Sequence, residues 1–225
     1  MKRNMDQWTK DLLEAPVKKA VPVLSFPSIQ LLGITVKELI NDSDLQARGM
    51  KAVADRTNAG AAVSLMDLSL EAECFGAPIR VSDDEVPTVT GPVISTEVEE
   101  DERMAQAEAL AVPEIGAGRT QIYIDAIGKV MDMIEDRPVF AGVIGPFSLA
   151  GRLLDVTQSL IYCYEEPDMV HVVLEKCTQF IIKYIQEYKK VGANGVVIAE
   201  PLAGLLSPAL AQEFSGDYCK RIVEA

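Results

Sequence analysis

The chain has 225 residues, 48% hydrophobic and 24% charged, enough for a substantial core and unlike a disordered, collagenous or coiled-coil protein. Thirty-four Asp and Glu against 21 Lys and Arg leave a formal charge of -13, and so acidic a surface repels phosphate backbones and anionic lipid, so no nucleic acid and no membrane partner is expected. No apolar stretch approaches the roughly 18 residues of a membrane span, and cysteines 74, 163, 177 and 219 form neither CxxC nor CxC, so reduced thiols and a cytoplasmic location are expected.

In chain order, Met1-Lys2-Arg3 is basic, but Asp6, Lys10, Asp11 and Glu14 interrupt any apolar run, and no leader is expected. The apolar, partly β-branched run 21–26, stopped by Pro27, predicts a first buried strand. Helical spacing follows over 34–40 and 43–57, with Asp42 or Ser43 available as N-cap. Residues 61–67 predict a second strand ending at Asp67. Pro78, Pro87, Gly91 and Pro92 then punctuate short alternating runs, the signature of a β-hairpin excursion. The acidic run 97–102 starts the next helix and reads as a solvated face.

An amphipathic helix is predicted over 118–136 and a third strand over 138–144, ending in Gly145-Pro146-Phe147. Helical segments follow at 148–154 and 159–164. Pro167 stands at the first turn of a helix running to about Lys190, whose stripe of Val170, Val173, Leu174, Cys177, Phe180, Ile181, Tyr184, Ile185 and Tyr188 faces a core. A fourth strand over 194–199 ends at Glu200-Pro201, and Ser207-Pro208 opens a last helix through Val223. Apolar strands alternating with helices predict an α/β protein with a parallel sheet, covered by helices on both faces or closed as a barrel. The chain ends inside a helical pattern, while an eight-stranded (β/α) barrel takes about 250 residues. An open four-stranded sheet and an incomplete barrel both fit.

Three segments together carry a family likeness: Met66-Asp67-Leu68-Ser69-Leu70-Glu71-Ala72-Glu73-Cys74-Phe75-Gly76, Gly145-Pro146-Phe147-Ser148-Leu149-Ala150, and Glu200-Pro201-Leu202-Ala203-Gly204-Leu205-Leu206-Ser207-Pro208. Their order and spacing resemble the amino-terminal two thirds of the uroporphyrinogen decarboxylase superfamily, which holds porphyrinogen decarboxylases and corrinoid or methylcobalamin-dependent methyltransferases. The resemblance implies a (β/α)8 TIM barrel, incomplete here at about four βα units plus the hairpin, in one domain over 1–225. Each segment would then fall at the carboxyl end of a strand, where barrel active sites lie.

Against the decarboxylases the departures matter. Their first strand leads into an arginine-rich motif that pairs with substrate carboxylates, whereas Phe26-Pro27-Ser28-Ile29-Gln30-Leu31-Leu32-Gly33 has no arginine. Arg152 stands where that pattern has Tyr, and Pro201 where it has Ser; Asp67 matches the acidic residue that holds pyrrole N–H groups. The methyltransferase branch also lacks the arginine motif and has an acidic-Pro turn like Glu200-Pro201. It implies zinc bound by a His-x-Cys pair and a later Cys, expected beyond residue 225, and a corrinoid (methylcobalamin) as co-substrate, usually on a separate corrinoid protein. No metal or cofactor is expected on these 225 residues alone.

The expected function is therefore methyl transfer between a corrinoid and a small acceptor or methoxylated donor. The alternatives are uroporphyrinogen decarboxylation and a truncated, non-catalytic domain that binds a partner. Asp67 and Glu200 are the candidate catalytic carboxylates; Phe26, Phe147, Arg152 and Ser207 are the candidate substrate-binding residues, with Phe147 as an apolar wall. Asp67 also reads as an N-cap for 68–75, Glu200 as the partner of a structural arginine, and Gly145-Pro146-Phe147 as a plain strand-to-helix turn. His171, the sole histidine, reads as a surface or helix-start residue, and Cys163, Cys177 and Cys219 as small core hydrophobes. Cys74 is the one thiol placed near the site. Asp67, Phe147 and Glu200 are expected to converge on one cavity at one end of the sheet.

Overall fold

The computed structural model describes residues 3–225; Met1 and Lys2 of the basic opening lie outside them. Helix α1 (Met5–Glu14) precedes α2 (Ser28–Leu32), α3 (Val36–Ile40) and α4 (Ser43–Arg56). Strand β1 (Ala62–Val63), α5 (Leu70–Cys74), the hairpin of β2 (Ile79–Arg80) and β3 (Thr88–Val89), α6 (Glu100–Ala109) and α7 (Thr120–Met131) follow. Next come β4 (Val139–Ile144), α8 (Pro146–Leu154), α9 (Val156–Glu165), α10 (Pro167–Lys190), β5 (Gly195–Ala199), α11 (Pro208–Ala211) and α12 (Asp217–Glu224).

Strand β4 lies centrally between β1 and β5, all parallel, with Phe140 in register with both Val63 and Gly195. The carboxyl ends of the three strands therefore gather on one side. One face of the sheet packs on helices: Val139, Ala141 and Val143 are buried in the core that includes α7, α8 and α10, and Val196 and Ile198 pack against it. Strand alternation turns Val197 to the other face, where Trp8 of α1 meets Phe140 edge-on at 5.6 Å between ring centroids. The stripe read on α10 is buried from Val170 through Tyr188, with Ile185 half-buried. Asp42 is the N-cap of α4, its Oδ1 accepting from the amides of Asp44 and Leu45.

Four expected elements change. Residues 21–26 form no strand: Pro22 has no N–H to give a ladder. Ser25 Oγ instead donates to the carbonyls of Val63 and Ser64, and the backbone link nearby is Gly60 N to Ala20 O at 2.8 Å. The second strand shortens to Ala62–Val63 because Ser64 substitutes its side chain for the ladder, Gly142 N donating to Ser64 Oγ at 2.8 Å. The last helix is interrupted by a π-helical turn over Gln212–Gly216. Helix α7 is also shorter than its pattern, starting after Gly116 and Gly118, both at positive φ, and closing in a tight turn from Met133 N to Val130 O. The short helices α1 and α2 were not signalled by the sequence pattern; the antiparallel β2–β3 hairpin was.

Candidate functional site at the carboxyl end of the sheet

Asp67 follows β1 and is fully enclosed, its side chain 0% exposed. Oδ1 accepts from Ser69 N at 3.1 Å and Ser69 Oγ at 2.6 Å, and Oδ2 from Arg119 Nη1 at 2.6 Å and Tyr123 OH at 3.0 Å. Four donors thus meet the roughly four acceptor sites of a carboxylate. The contact with Ser69 closes a turn two residues on and is not the N-cap expected of Asp67, because α5 begins only at Leu70, with Ser69 at its N-cap and no side-chain cap bond. Arg119, just before α7, also donates from Nε to Glu73 Oε2 at 2.8 Å. Burial opposes its charge, but Asp67, Tyr123 and Glu73 outweigh it and hold the guanidinium more firmly protonated than usual.

Glu200 follows β5. Its Oε1 accepts from Phe147 N at 2.7 Å, Ser148 N at 3.2 Å and Ser215 Oγ at 3.1 Å. It therefore takes up amides at the first turn of α8 that would lack helical partners, and the π-helical turn brings Ser215 to it. The expected arginine partner is replaced by a helix terminus. Burial raises its carboxyl above the ordinary range, while the Ser148, Ser215 and Phe147 bonds pull the other way.

Phe147 is 0% exposed, so it packs inside the core and does not wall a pocket directly. Arg152 is half-buried, six residues beyond Pro146 and so about 9 Å along the helix from the strand end. Ser207 is exposed and caps α11, Leu210 N donating to its Oγ at 3.4 Å. Phe26 is half-buried in the turn beside the end of β1, where Ser25 is anchored. Glu200 and Phe147 therefore meet directly, Asp67 reaches the same turn only through α5, and Arg152 and Ser207 stand apart. A shared cavity is not what joins them. A small enclosed cavity lies instead among Pro22, Leu24, Met50 and Val63, and an open groove among Leu110, His171, Lys176 and Tyr218.

The residue that sequence reading passed over is Glu71, second in α5. It is 2% exposed, with Oε1 accepting from Ile144 N at 3.0 Å and Oε2 without a partner. Burial pushes its carboxyl up to about 7, against the pull of the Ile144 amide. It stood inside the quoted motif, and an acid at helical spacing from Asp67 was the signal available. His171 is half-buried, stacked on Phe214 with Nδ1 2.8 Å from Tyr218 OH, in keeping with a helix-start position.

As for zinc, no three His, Cys, Asp or Glu side chains gather into a metal set among the described residues. Burial pushes the Cys74 and Cys163 thiols up to about 12, away from the thiolate a zinc ligand must supply. The donors among the described residues do not fit the group. Likewise no helix among the described residues is long and apolar enough to cross a membrane.

A parallel α/β sheet whose carboxyl ends gather buried acids defines the class of protein, and comparison with known proteins supplies the family. The model of the uroporphyrinogen decarboxylase (URO-D) family matches residues 16–225, and the chain belongs to that family. It is 28% identical over 174 residues to the uroporphyrinogen decarboxylase of Flavobacterium johnsoniae, covering 73% of this chain and 48% of that protein. The corresponding protein of Myxococcus xanthus is 27% identical over 197 residues, 84% of this chain and 54% of its own. The chain thus spans about half the length of these curated relatives. A methyltransferase from Methanosarcina mazei shares the fold with a TM-score of 0.80 at 22% identity, over 95% of this chain and 64% of that one.

Proposed function

We propose that the protein transfers a methyl group between a corrinoid and a small acceptor or methoxylated donor. Its site is the carboxyl end of the sheet, and β1, β4 and β5 form part of a (β/α)8 wall. Residues 1–225 would act as a single domain in a reducing, cytoplasmic setting. Zinc ligands would have to come from outside these residues, and the corrinoid could arrive on a separate protein.

One observation carries this reading over the decarboxylase. A porphyrinogen-binding aspartate must offer free oxygens to pyrrole N–H groups, and both oxygens of Asp67 are already filled by Ser69, Arg119 and Tyr123. The missing clamps agree with it: the turn anchored beside β1 through Ser25 presents Gln30, Leu31 and Gly33, none of them cationic. What that region offers is apolar, with Phe26 half-buried and Leu31 exposed, which suits the flat face of a corrin better than a ring of carboxylates. The neighbouring fold of the Methanosarcina mazei methyltransferase supports it.

In this reading Arg119 and Tyr123 hold Asp67 and the 67–75 segment in place, while Glu200 fixes the start of α8. The test assays the longest reading frame that contains these residues for methyl transfer from methylcobalamin to a thiol with zinc supplied, and for uroporphyrinogen turnover without metal. Methyl transfer alone is expected. Metal-free turnover of uroporphyrinogen would overturn the proposal in favour of decarboxylation, and neither activity in the longest reading frame would favour a binding domain.

A further inference from the structure

The turn that joins β4 to α8 is gripped by two acids, neither with a basic partner of its own. From one side Glu71 Oε1 accepts from Ile144 N at 3.0 Å, the last amide of β4. From the other, Glu200 accepts from Phe147 N and Ser148 N, while Gly145 N donates to Ala199 O at 2.7 Å. Between the two acids lie only Ile144, Gly145 and Pro146. Glu71 Oε2 is buried with no partner at all, an arrangement costly for a charged carboxylate and far cheaper for a neutral one.

We propose that Glu71 is a positioning residue of this site, whose carboxyl gains and loses a proton in place and thereby shifts the β4–α8 turn held by Glu200. Its surroundings are consistent with such a role. The loop before α5 contributes Asp67, paired with Arg119, whose negative charge also raises the Glu71 carboxyl; α5 itself contributes Glu73 and Cys74, the former bonded to Arg119 Nε. Helix α7 adds Arg119 before it and Tyr123 within it, and α10 adds Tyr184 and Tyr188, whose hydroxyls bond each other at 2.6 Å. Arg152 is the one titratable side chain of α8, and β4 contributes only the Ile144 amide. Arg119 spends Nε on Glu73 and Nη1 on Asp67, and no bond runs from its buried, unpartnered Nη2 to Glu71; its charge lowers the Glu71 carboxyl only through space, and burial outweighs that and holds the proton to about 7. Ionisation strengthens the bond to Ile144 N, and the rigid three-residue span passes the change to the amides that Glu200 holds.

This inference rests on the carboxyl end of the sheet being the site, and is independent of which reaction runs there. Amide proton and nitrogen shifts of Ile144, Phe147 and Ser148, followed through a pH titration of the 225-residue chain, test it without any activity. The Ile144 amide should move with a midpoint near 7, Ser148 should show a step at the same midpoint, and both steps should vanish in Glu71→Gln. A Ser148 step unchanged in Glu71→Gln assigns the titration to Glu200 and overturns the proposal. Should that variant fail to fold, the wild-type titration decides alone. An Ile144 midpoint in the ordinary glutamate range, or a Ser148 amide that stays still while Ile144 moves, overturns it equally.

Discussion

Asp67 and Arg119 form the ion pair with most at stake, because both are buried and each serves the other's charge. Removing one partner of a buried pair typically costs about 3–5 kcal/mol, most of it the penalty of the stranded charge. Arg119→Met should therefore lower the urea midpoint sharply, while Asp67→Asn should cost less, since Arg119 keeps Glu73 at 2.8 Å. Equal losses in equilibrium urea unfolding would contradict this ordering. Glu71 has the opposite balance. Its carboxyl is raised from 4.5 to about 7 in the folded state, so between those values the folded protein binds more protons than the unfolded one. Stability from this group is accordingly complete below about pH 4.5, falls as pH rises through 7, and stays lost above it. A shift of that size corresponds to about 3 kcal/mol. Glu71→Gln should unfold at higher temperature than wild type at pH 8 and match it more nearly at pH 4.5, a difference calorimetry resolves.

At the scale of elements, the β4–α8 turn depends on Gly145. A Cβ there would run into the Glu200 carboxylate, and forcing extra atoms into a packed site costs about 1–3 kcal/mol. Gly145→Ala should destabilise by about that much, and Glu200→Ala should relieve part of it, so the double mutant should be less damaged than the sum of the singles. Strict additivity would show that the close approach is not what Gly145 provides. The glycine, the proline at N1 of α8 and the apolar run before them were all legible in the sequence, as was the 24-residue helix α10 with its unbroken stripe. Periodicity and end signals are local, and these elements obey them. The run 21–26 was misleading because Val21 and Val23 are exposed despite their apolar character, Pro22 has no N–H to give a ladder, and Ser25 Oγ, in place of a backbone ladder, holds the carbonyls of Val63 and Ser64. The truncation of β1 has the same origin, since a serine side chain standing in for a backbone ladder leaves no trace in hydropathy. The partners of Asp67 lie more than 50 residues away at Arg119 and Tyr123, a pairing that no local pattern encodes.

For the whole molecule, the sheet is unequally covered. Helices α7 and α10 pack on β4 from one face, while Trp8, packed on Phe140, is a partial cover on the other. Strand β5 pairs with β4 on one side, and all five of its residues remain half-exposed. An unpaired edge of apolar residues is a template for another strand, and the net charge of -13 opposes association only where salt leaves it unscreened. The 225-residue chain should therefore self-associate with rising concentration, more strongly in high salt. Val197→Lys places a charge on the open face of β5 without touching Val196 and Ile198, which pack on the core. It should suppress association while leaving the thermal midpoint within about 0.5 kcal/mol equivalent, as for a surface substitution. Light scattering after size-exclusion chromatography distinguishes the outcomes: a wild-type chain that stays monomeric at every concentration, or a Val197→Lys chain that associates as strongly, would mean that the β5 edge is not the reactive surface.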